Sequence, residues 1–332
     1  MNALLIGLIT AIGSFFAAML IAPAVVRLAG GRAVQTLLGY VKQHENKAGT
    51  PTFGGIIFIL STTIAAAAAG AFSHELGRML MLVFLGYGLI GFTDDFIKVK
   101  LKRNKGLTAW QKILFQVAAG FLAAWFSYRS PFVGSAVSLN FGLGEWDLGV
   151  WYLPFATFVF VAMSNAVNLT DGLDALAGGT GGVYVGFFAL ILAVIAFEAE
   201  HMGMSVYADE VNSMFYTSMA LLGGLLAFLW FNAPKASIFM GDTGSLALGA
   251  FFAALALFSK NPLIGAVIGI MYVVSCISVI IQVISFKLTK KRVFLMSPYH
   301  HHLELKGIPE SKITARYMIA TFVAGLVALC II

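Results

Sequence analysis

Five aspartates carry most of the chemistry that this sequence could perform. Asp94 and Asp95 are adjacent in Gly91-Phe92-Thr93-Asp94-Asp95-Phe96-Ile97-Lys98. Successive helical residues point about 100° apart, so the two cannot serve one target equally, whereas Lys98 shares a face with Asp94. Asp171 and Asp174 continue a series with Asn165 and Asn168 at three-residue spacing, a polar stripe that ends an apolar run. Gly172, Gly178 and Gly179 predict a broken helix there, with backbone N–H groups freed for an anion or a nucleotide edge. Asp242 lies in Phe239-Met240-Gly241-Asp242-Thr243-Gly244-Ser245, at the start of a predicted helix where an anion or a metal-bound phosphate is favoured. Carboxylates gathered at one depth repel one another, so a cation, lysines or both must sit among them. Phosphoryl transfer uses such a mixture: Mg²⁺ takes one or two carboxylates plus phosphate oxygens, and cations neutralise the charge of the transition state.

Two further polar segments could join this site. One is Lys47-Ala48-Gly49-Thr50-Pro51-Thr52-Phe53-Gly54-Gly55, between the first two apolar runs. The other is Ser297-Pro298-Tyr299-His300-His301-His302-Leu303-Glu304-Leu305-Lys306-Gly307, where imidazoles contacting phosphate are favoured over zinc because no Cys/His set has zinc spacing. Asn232 and Phe239 flank the Asp242 segment, and Phe239 offers a stacking surface for a base. Each cluster also has a structural reading. Asp94 and Lys98 would be a helical ion pair, Asp242 an N-cap, the polar stripe a packed helix end, and the histidines a surface loop. No P-loop and no GxGxxG with a following acid occurs, so ATP-driven and dinucleotide chemistries lack support.

The elements that must hold these residues are membrane helices. Of 332 residues, 60% are hydrophobic and only 11% charged, against about 25% in soluble proteins. The mean hydropathy is +0.90. Those figures exclude a soluble globular protein, a disordered chain and a basic nucleic-acid-binding domain. Apolar runs predict spans near 3–26, 53–72, 77–97, 109–127, 151–169, 179–197, 213–231, 243–259, 263–286 and 316–332. With no internal repeat, residues 1–332 read as one all-α polytopic membrane domain of about ten helices. The N-terminal run lacks a basic n-region and reads as a retained span. If loops alternate sides, all of the 21 basic residues except Arg78, Arg129 and Lys260 fall on one side, which is then cytoplasmic. Both termini then lie outside, and all five aspartates fall at inner ends of spans. The net charge of +6 needs no nucleic acid to explain it. Residues 138–151 alternate around Gly142 and Gly144 and predict a short outer hairpin. The basic run from Lys287 to Arg292 reads as an amphipathic helix on the inner surface. Cys276 and Cys330 lie in apolar stretches and read as buried thiols. A membrane site facing the cytoplasm implies one lipid-borne substrate and one soluble, activated one, such as a nucleotide sugar.

Taken in order, these motifs resemble those of the phospho-N-acetylmuramoyl-pentapeptide transferase family, within the polyprenyl-phosphate N-acetylhexosamine-1-phosphate transferase superfamily. The likeness runs through Lys47–Gly55, Thr93–Asp95, Asn168–Ala177, Phe239–Ser245 and Ser297–Gly307, essentially the whole chain. The triple-histidine loop is its specific part. Two positions depart from the family: Leu38-Gly39-Tyr40-Val41 replaces an acidic Asp-Gly-Pro stretch, and Ala175 stands where glycine is usual. The resemblance implies a ten-span enzyme of the bacterial cytoplasmic (inner) membrane, a homodimer among membrane lipids with both termini outside. It implies transfer of phospho-MurNAc-pentapeptide from UDP-MurNAc-pentapeptide to undecaprenyl phosphate, with Mg²⁺. The products are lipid I and UMP, in the first membrane step of peptidoglycan synthesis.

On that resemblance, Asp94, Asp95, Asp242 and His301 are the expected catalytic residues. Asp242 is the principal Mg²⁺ ligand, Asp95 lies beside the metal, and Asp94 positions or deprotonates the lipid phosphate. Lys47, Lys98 and Lys112 hold phosphates, and His300 and His302 flank His301 against the diphosphate or sugar. Asn168, Asp171, Asp174, Asn232 and Phe239 bind the donor, chiefly its uridine part. Two competing readings remain at this stage: a sister polyprenyl-phosphate GlcNAc-1-phosphate transferase, and a secondary transporter that couples ions through inner-face carboxylates. A transporter should show inverted repeats and mid-depth carboxylates, and the sequence has neither.

Overall fold

Apolar runs of membrane length can satisfy their backbone only internally, and the chain accordingly folds into helices. The computed structural model describes residues 2–30, 50–101, 106–140 and 142–332. Its long helices are α1 (Ala3–Ala29), α2 (Gly55–Ala68), α3 (Glu75–Lys100), α4 (Ala109–Arg129), α5 (Tyr152–Thr170), α6 (Leu176–His201), α7 (Ser205–Asn232) and α8 (Gly241–Phe258). They are followed by α9 (Pro262–Ile268), α10 (Ile270–Thr289), the short α11 (Tyr299–Leu305) and α12 (Glu310–Ile331). Among the described residues, eight helices are long and apolar enough to cross a membrane, and α2 is a shorter apolar helix. The chain is an all-α, polytopic integral membrane protein.

Helix α8 is the axis of the bundle. From Thr243 to Phe258 every one of its side chains is buried, against α3, α5, α2 and α9. Large apolar side chains remain exposed on α1, α4, α10 and α12, as on Leu20, Trp110, Ile284 and Ile319. In water that surface would be untenable, but in lipid it is the expected exterior. Helix contacts are close where glycine permits. A Cβ on Gly91 of α3 would collide with the Asp242 carbonyl, and one on Gly55 with the backbone of Gly244. These contacts fix how near the start of α8 lies to α3 and α2.

The predicted hairpin is present as β1 (Ala136–Ser138) paired antiparallel with β2 (Glu145–Asp147). It docks through Ser138 N–H on the Lys260 carbonyl and through the Asn140–Asn261 side-chain pair, at the end of the bundle opposite the aspartates. Two expectations are corrected. The span expected over 263–286 is two helices, α9 and α10, divided at Gly269, whose N–H bonds the Gly265 carbonyl and whose carbonyl receives both Tyr272 and Val273 N–H. The basic run 287–292 forms no separate surface helix: α10 continues through Lys287 to Thr289, and Lys290 ends it at φ 57°. The polar Ser285, Lys287 and Thr289 are accommodated because this stretch is exposed at the helix end.

An apolar groove of about 840 Å³ opens on one side of the bundle. It begins at the hairpin with Trp146 and Trp151, follows Phe158 on α5, and reaches Ala166 of α5 and Cys276 and Ile280 of α10. Ala166 is one turn from Thr170, where α5 ends.

Candidate active site

The last turns of α3 and the first turn of α8 meet at the closely packed end just described. Asp94 and Asp95 are buried there, and Asp242 lies in the first turn of α8. One carboxylate oxygen from each of the three falls within 4.8 Å of the others. Lys98 reaches all of them: its Nζ is 2.6 Å from Asp94 Oδ2, 2.7 Å from Asp242 Oδ2 and 3.5 Å from Asp95 Oδ1. Lys112, from the first turn of α4, adds a second ammonium 2.9 Å from Asp242 Oδ2. The positive charge demanded by clustered carboxylates is therefore supplied by two lysines of the chain itself. Asn168 of α5 completes the grip on Asp242, donating to Oδ1 at 2.6 Å and to Ser245 Oγ at 2.8 Å.

The adjacent aspartates divide their work, as helical geometry requires. Asp94 Oδ1 accepts the Leu107 N–H at 2.7 Å while Oδ2 meets Lys98. Asp95 Oδ2 accepts both the N–H and the hydroxyl of Thr243, at 2.8 and 2.7 Å. Asp95 thus clamps the start of α8 and holds Asp242 in place. Gly241, at φ 72°, is needed between them, because a Cβ would collide with Thr52 Oγ1 and Asp95 Oδ2. Asp242 is not an N-cap: Met240 holds that position, and the Asp242 carboxylate turns away to Lys98, Lys112 and Asn168.

The predicted break follows Asn168. Helix α5 ends at Thr170 and α6 starts at Leu176, with Ala175 in the left-handed region at φ 60°. This is the position where the sequence departs from a usual glycine, and only glycine adopts that conformation without penalty. Asp171 sits half-buried in the break. Burial, reinforced by the negative charges of Asp242, Asp95 and Asp174, pushes its carboxyl up to about 8. Asp174 turns the other way. Its Oδ2 accepts the backbone N–H groups of Lys235 and Ala236, and Thr314 of α12 bonds its carbonyl. Asn232 ties the same loop down, accepting Ala175 N–H and donating to the Ile238 carbonyl. Together they brace residues 233–240 and present the half-buried Phe239, whose backbone pairs with Pro51 and Gly54.

The histidine loop closes over the break from α11. A Cβ on Gly172 would collide with His300 Nε2 and press on His301 Nε2, so glycine is required for this contact. His301 Nδ1 lies 2.9 Å from a Glu304 oxygen, which sets the ring's other nitrogen toward the break. His302 differs: its Nδ1 accepts the Leu295 N–H, and its ring stacks on Tyr299. Burial and the nearby Lys306 lower its pKa, consistent with a neutral ring that shapes the loop. The structure thus brings Asp94, Asp95, Lys98, Lys112, Asn168 and Asp242 into one cluster, with Asp171, His300 and His301 beside it. Asp174, Asn232 and His302 carry loop contacts. Lys47 lies outside the described residues. Sequence reasoning took Thr243 only as a local hydrogen bonder beside Asp242, not as the partner of Asp95, and did not single out the backbone N–H of Leu107, since nothing in the local spacing marks either contact.

Carboxylates and lysines buried together at one helix end of a membrane bundle suit an integral membrane transferase acting on phosphate. Residues 78–260 match glycosyl transferase family 4. The chain is 41% identical over 318 residues, 95% of each chain, to the phospho-N-acetylmuramoyl-pentapeptide-transferase of Clostridium kluyveri. It is 44% identical over 287 residues to that of Caldanaerobacter subterraneus subsp. tengcongensis, covering 86% of this chain and 85% of the relative. The Thermoanaerobacter pseudethanolicus protein of the same name is 46% identical over 287 residues, 85% and 84% of the two chains. The chain belongs to the phospho-N-acetylmuramoyl-pentapeptide-transferase family, a branch of glycosyl transferase family 4.

Proposed function

We propose that this protein transfers phospho-MurNAc-pentapeptide from UDP-MurNAc-pentapeptide to undecaprenyl phosphate, forming lipid I and releasing UMP. The observation that carries the chemical part is the single cluster of Asp94, Asp95 and Asp242 threaded by Lys98 and Lys112. A phosphate oxygen of the lipid attacks the sugar-bearing phosphorus of the donor. A new P–O bond forms, the diphosphate P–O bond breaks, and UMP leaves with the electron pair. A phosphate monoester is already largely ionised near neutral pH, so little proton removal is needed. Both oxygens of Asp94 are engaged, which favours a positioning role over that of a strong base. Lys98 and Lys112 balance the charge that builds on the phosphates. His301 meets the α5–α6 break at Gly172.

The donor set fits Mg²⁺: clustered carboxylate oxygens are the hard ligands that this ion takes, with phosphate oxygens completing its shell. Asp242 and, beside it, Asp95 or Asp94 would hold the ion, which would polarise the diphosphate and draw charge from the leaving group. Asn168, Asp171, Asp174, Asn232 and Phe239 form or brace the wall between the acidic cluster and residues 233–240, which suits the uridine part. The apolar groove ending one turn from this wall suits the polyprenyl chain. The distribution of basic residues supports a cytoplasmic site in the bacterial cytoplasmic membrane, with both termini outside. A homodimer accords with the family.

The test is UMP release from UDP-MurNAc-pentapeptide with and without undecaprenyl phosphate and Mg²⁺, with UDP-GlcNAc as the competing donor. Release that needs all three components supports the reading. Preference for UDP-GlcNAc would move the protein to the sister activity. Uptake into proteoliposomes without UMP release would favour a transporter, and a phosphorylated enzyme on rapid quench would replace direct attack by a covalent route.

A further inference from the structure

One buried polar contact lies deeper in the bundle than the site and takes no part in the chemistry described. Gln116 of α4 is wholly buried, and its Oε1 accepts the Asn165 amide of α5 at 2.6 Å. Its Nε2 is buried and has no partner among the described residues. An amide with one half unsatisfied is a costly way to pack two helices that could meet through apolar side chains. The contact is placed where it matters. Gln116 lies one turn beyond Lys112 on the same face of α4, and Asn165 one turn before Asn168 on the same face of α5. Lys112 holds one oxygen of Asp242 and Asn168 holds the other. The two helices therefore converge on a single carboxylate, with one side-chain hydrogen bond a turn behind both ligating residues.

We infer that the Gln116–Asn165 contact is a positioning lock, which sets the spacing of α4 and α5 so that Lys112 and Asn168 hold the Asp242 carboxylate in the orientation used for metal and diphosphate. This rests on the proposed function above. Neither residue touches substrate; each acts through its neighbour one turn away. The same two helices carry a second contact near their other ends, Tyr152 hydroxyl to Ser127 Oγ at 3.2 Å. That bond joins α4 to α5 without facing the site and supplies an internal control.

The experiment compares the wild type, Gln116→Leu and Tyr152→Phe in detergent. It reads kcat and donor KM for UMP release, and the MgCl₂ concentration giving half the maximal thermal shift. Gln116→Leu is expected to lower kcat and raise the half-effective MgCl₂ concentration, each by about tenfold, the lower end of what lost outer-shell support costs, with donor KM nearly unchanged. Tyr152→Phe should lower thermal stability and move neither kcat nor the MgCl₂ midpoint. If Gln116→Leu does not fold, Gln116→Asn shortens the reach and should be impaired, and pairing it with Asn165→Gln should restore activity. Wild-type kcat and MgCl₂ midpoint in Gln116→Leu, or equal activity of Gln116→Asn with and without its partner change, would overturn the inference. A wild type that releases no UMP would instead sink the functional reading.

Discussion

At the level of single residues, the site is a charge-balanced cluster in which each aspartate has a distinct task. Asp242 is held by two lysines and an amide, so removing its charge should disable the site and leave the bundle intact. Asp242→Asn is expected to lower turnover by at least about 10²-fold and to flatten the Mg²⁺ dependence, while the purified protein keeps its helical content. Near-normal turnover would remove Asp242 from the site. His301→Ala should lower turnover by about 10²-fold if the imidazole serves the reaction, whereas a mere surface loop predicts no change. Asp171 makes a pH prediction. Its folded pKa is raised to about 8, so between about pH 4 and 8 the folded state holds a proton that the unfolded chain has released. Stability contributed by this group is present below the unfolded value and declines as pH rises through that window. In EDTA, the melting temperature of Asp171→Asn should therefore gain on the wild type as pH rises from 5 to 8.5. Parallel curves would contradict it. These aspartates were legible in the sequence because carboxylates at the ends of apolar spans have few bland explanations. The division between Asp94 and Asp95 was legible only as a difference in direction: that Thr243 would occupy Asp95 depends on how α3 meets α8.

At the level of helices, small residues decide how closely the site can be assembled. Gly91 lets α3 lie against the first turn of α8, and a methyl group there would have to displace the Asp242 carbonyl. Gly91→Ala should cost about 10²-fold in turnover through misplacement alone, readable as lost UMP release in protein that still purifies folded. Ala175 is the converse case. It holds a left-handed conformation that costs an L-residue about 1–2 kcal/mol, and glycine gives back part of that gain through its extra unfolded freedom. Ala175→Gly should stabilise the protein by roughly 0.5–1 kcal/mol, seen as a higher melting temperature. The α5–α6 break could be read from Gly172, whereas Gly178 and Gly179, expected to share in it, lie within α6, and the three-residue polar series, expected to share a helix face, runs past the end of α5 at Thr170. The division of α9 from α10 could not, because an unbroken apolar run masks a helix interruption at Gly269. The extension of α10 through Lys287 was equally hidden: a cluster of basic residues looks alike at the end of a long helix and on a separate surface helix.

For the molecule as a whole, hydropathy gave the helical bundle, and the placement of aspartates and basic residues pointed to one end of it. The sequence could not give the groove, because α5, α8, α10 and the hairpin contribute to it from distant parts of the chain. Cys276 and Cys330 are not the buried thiols that their apolar stretches predict: Cys276 is half-buried in that groove, and Cys330 is exposed on the outer, lipid-facing side of α12. In a Cys330→Ser background, undecaprenyl phosphate should slow alkylation of Cys276 by an apolar maleimide, whereas unchanged labelling would remove the groove as the lipid's berth. The central claim is that Asp94, Asp95 and Asp242 form one metal and diphosphate site. It is tested most directly by locating Mn²⁺, as a stand-in for Mg²⁺, through its anomalous scattering in crystals of the protein with UMP. The account predicts one peak within coordination distance of the Asp242 carboxylate, lost in Asp242→Asn. A peak on His300–His302 instead, with none at the three aspartates, would contradict it.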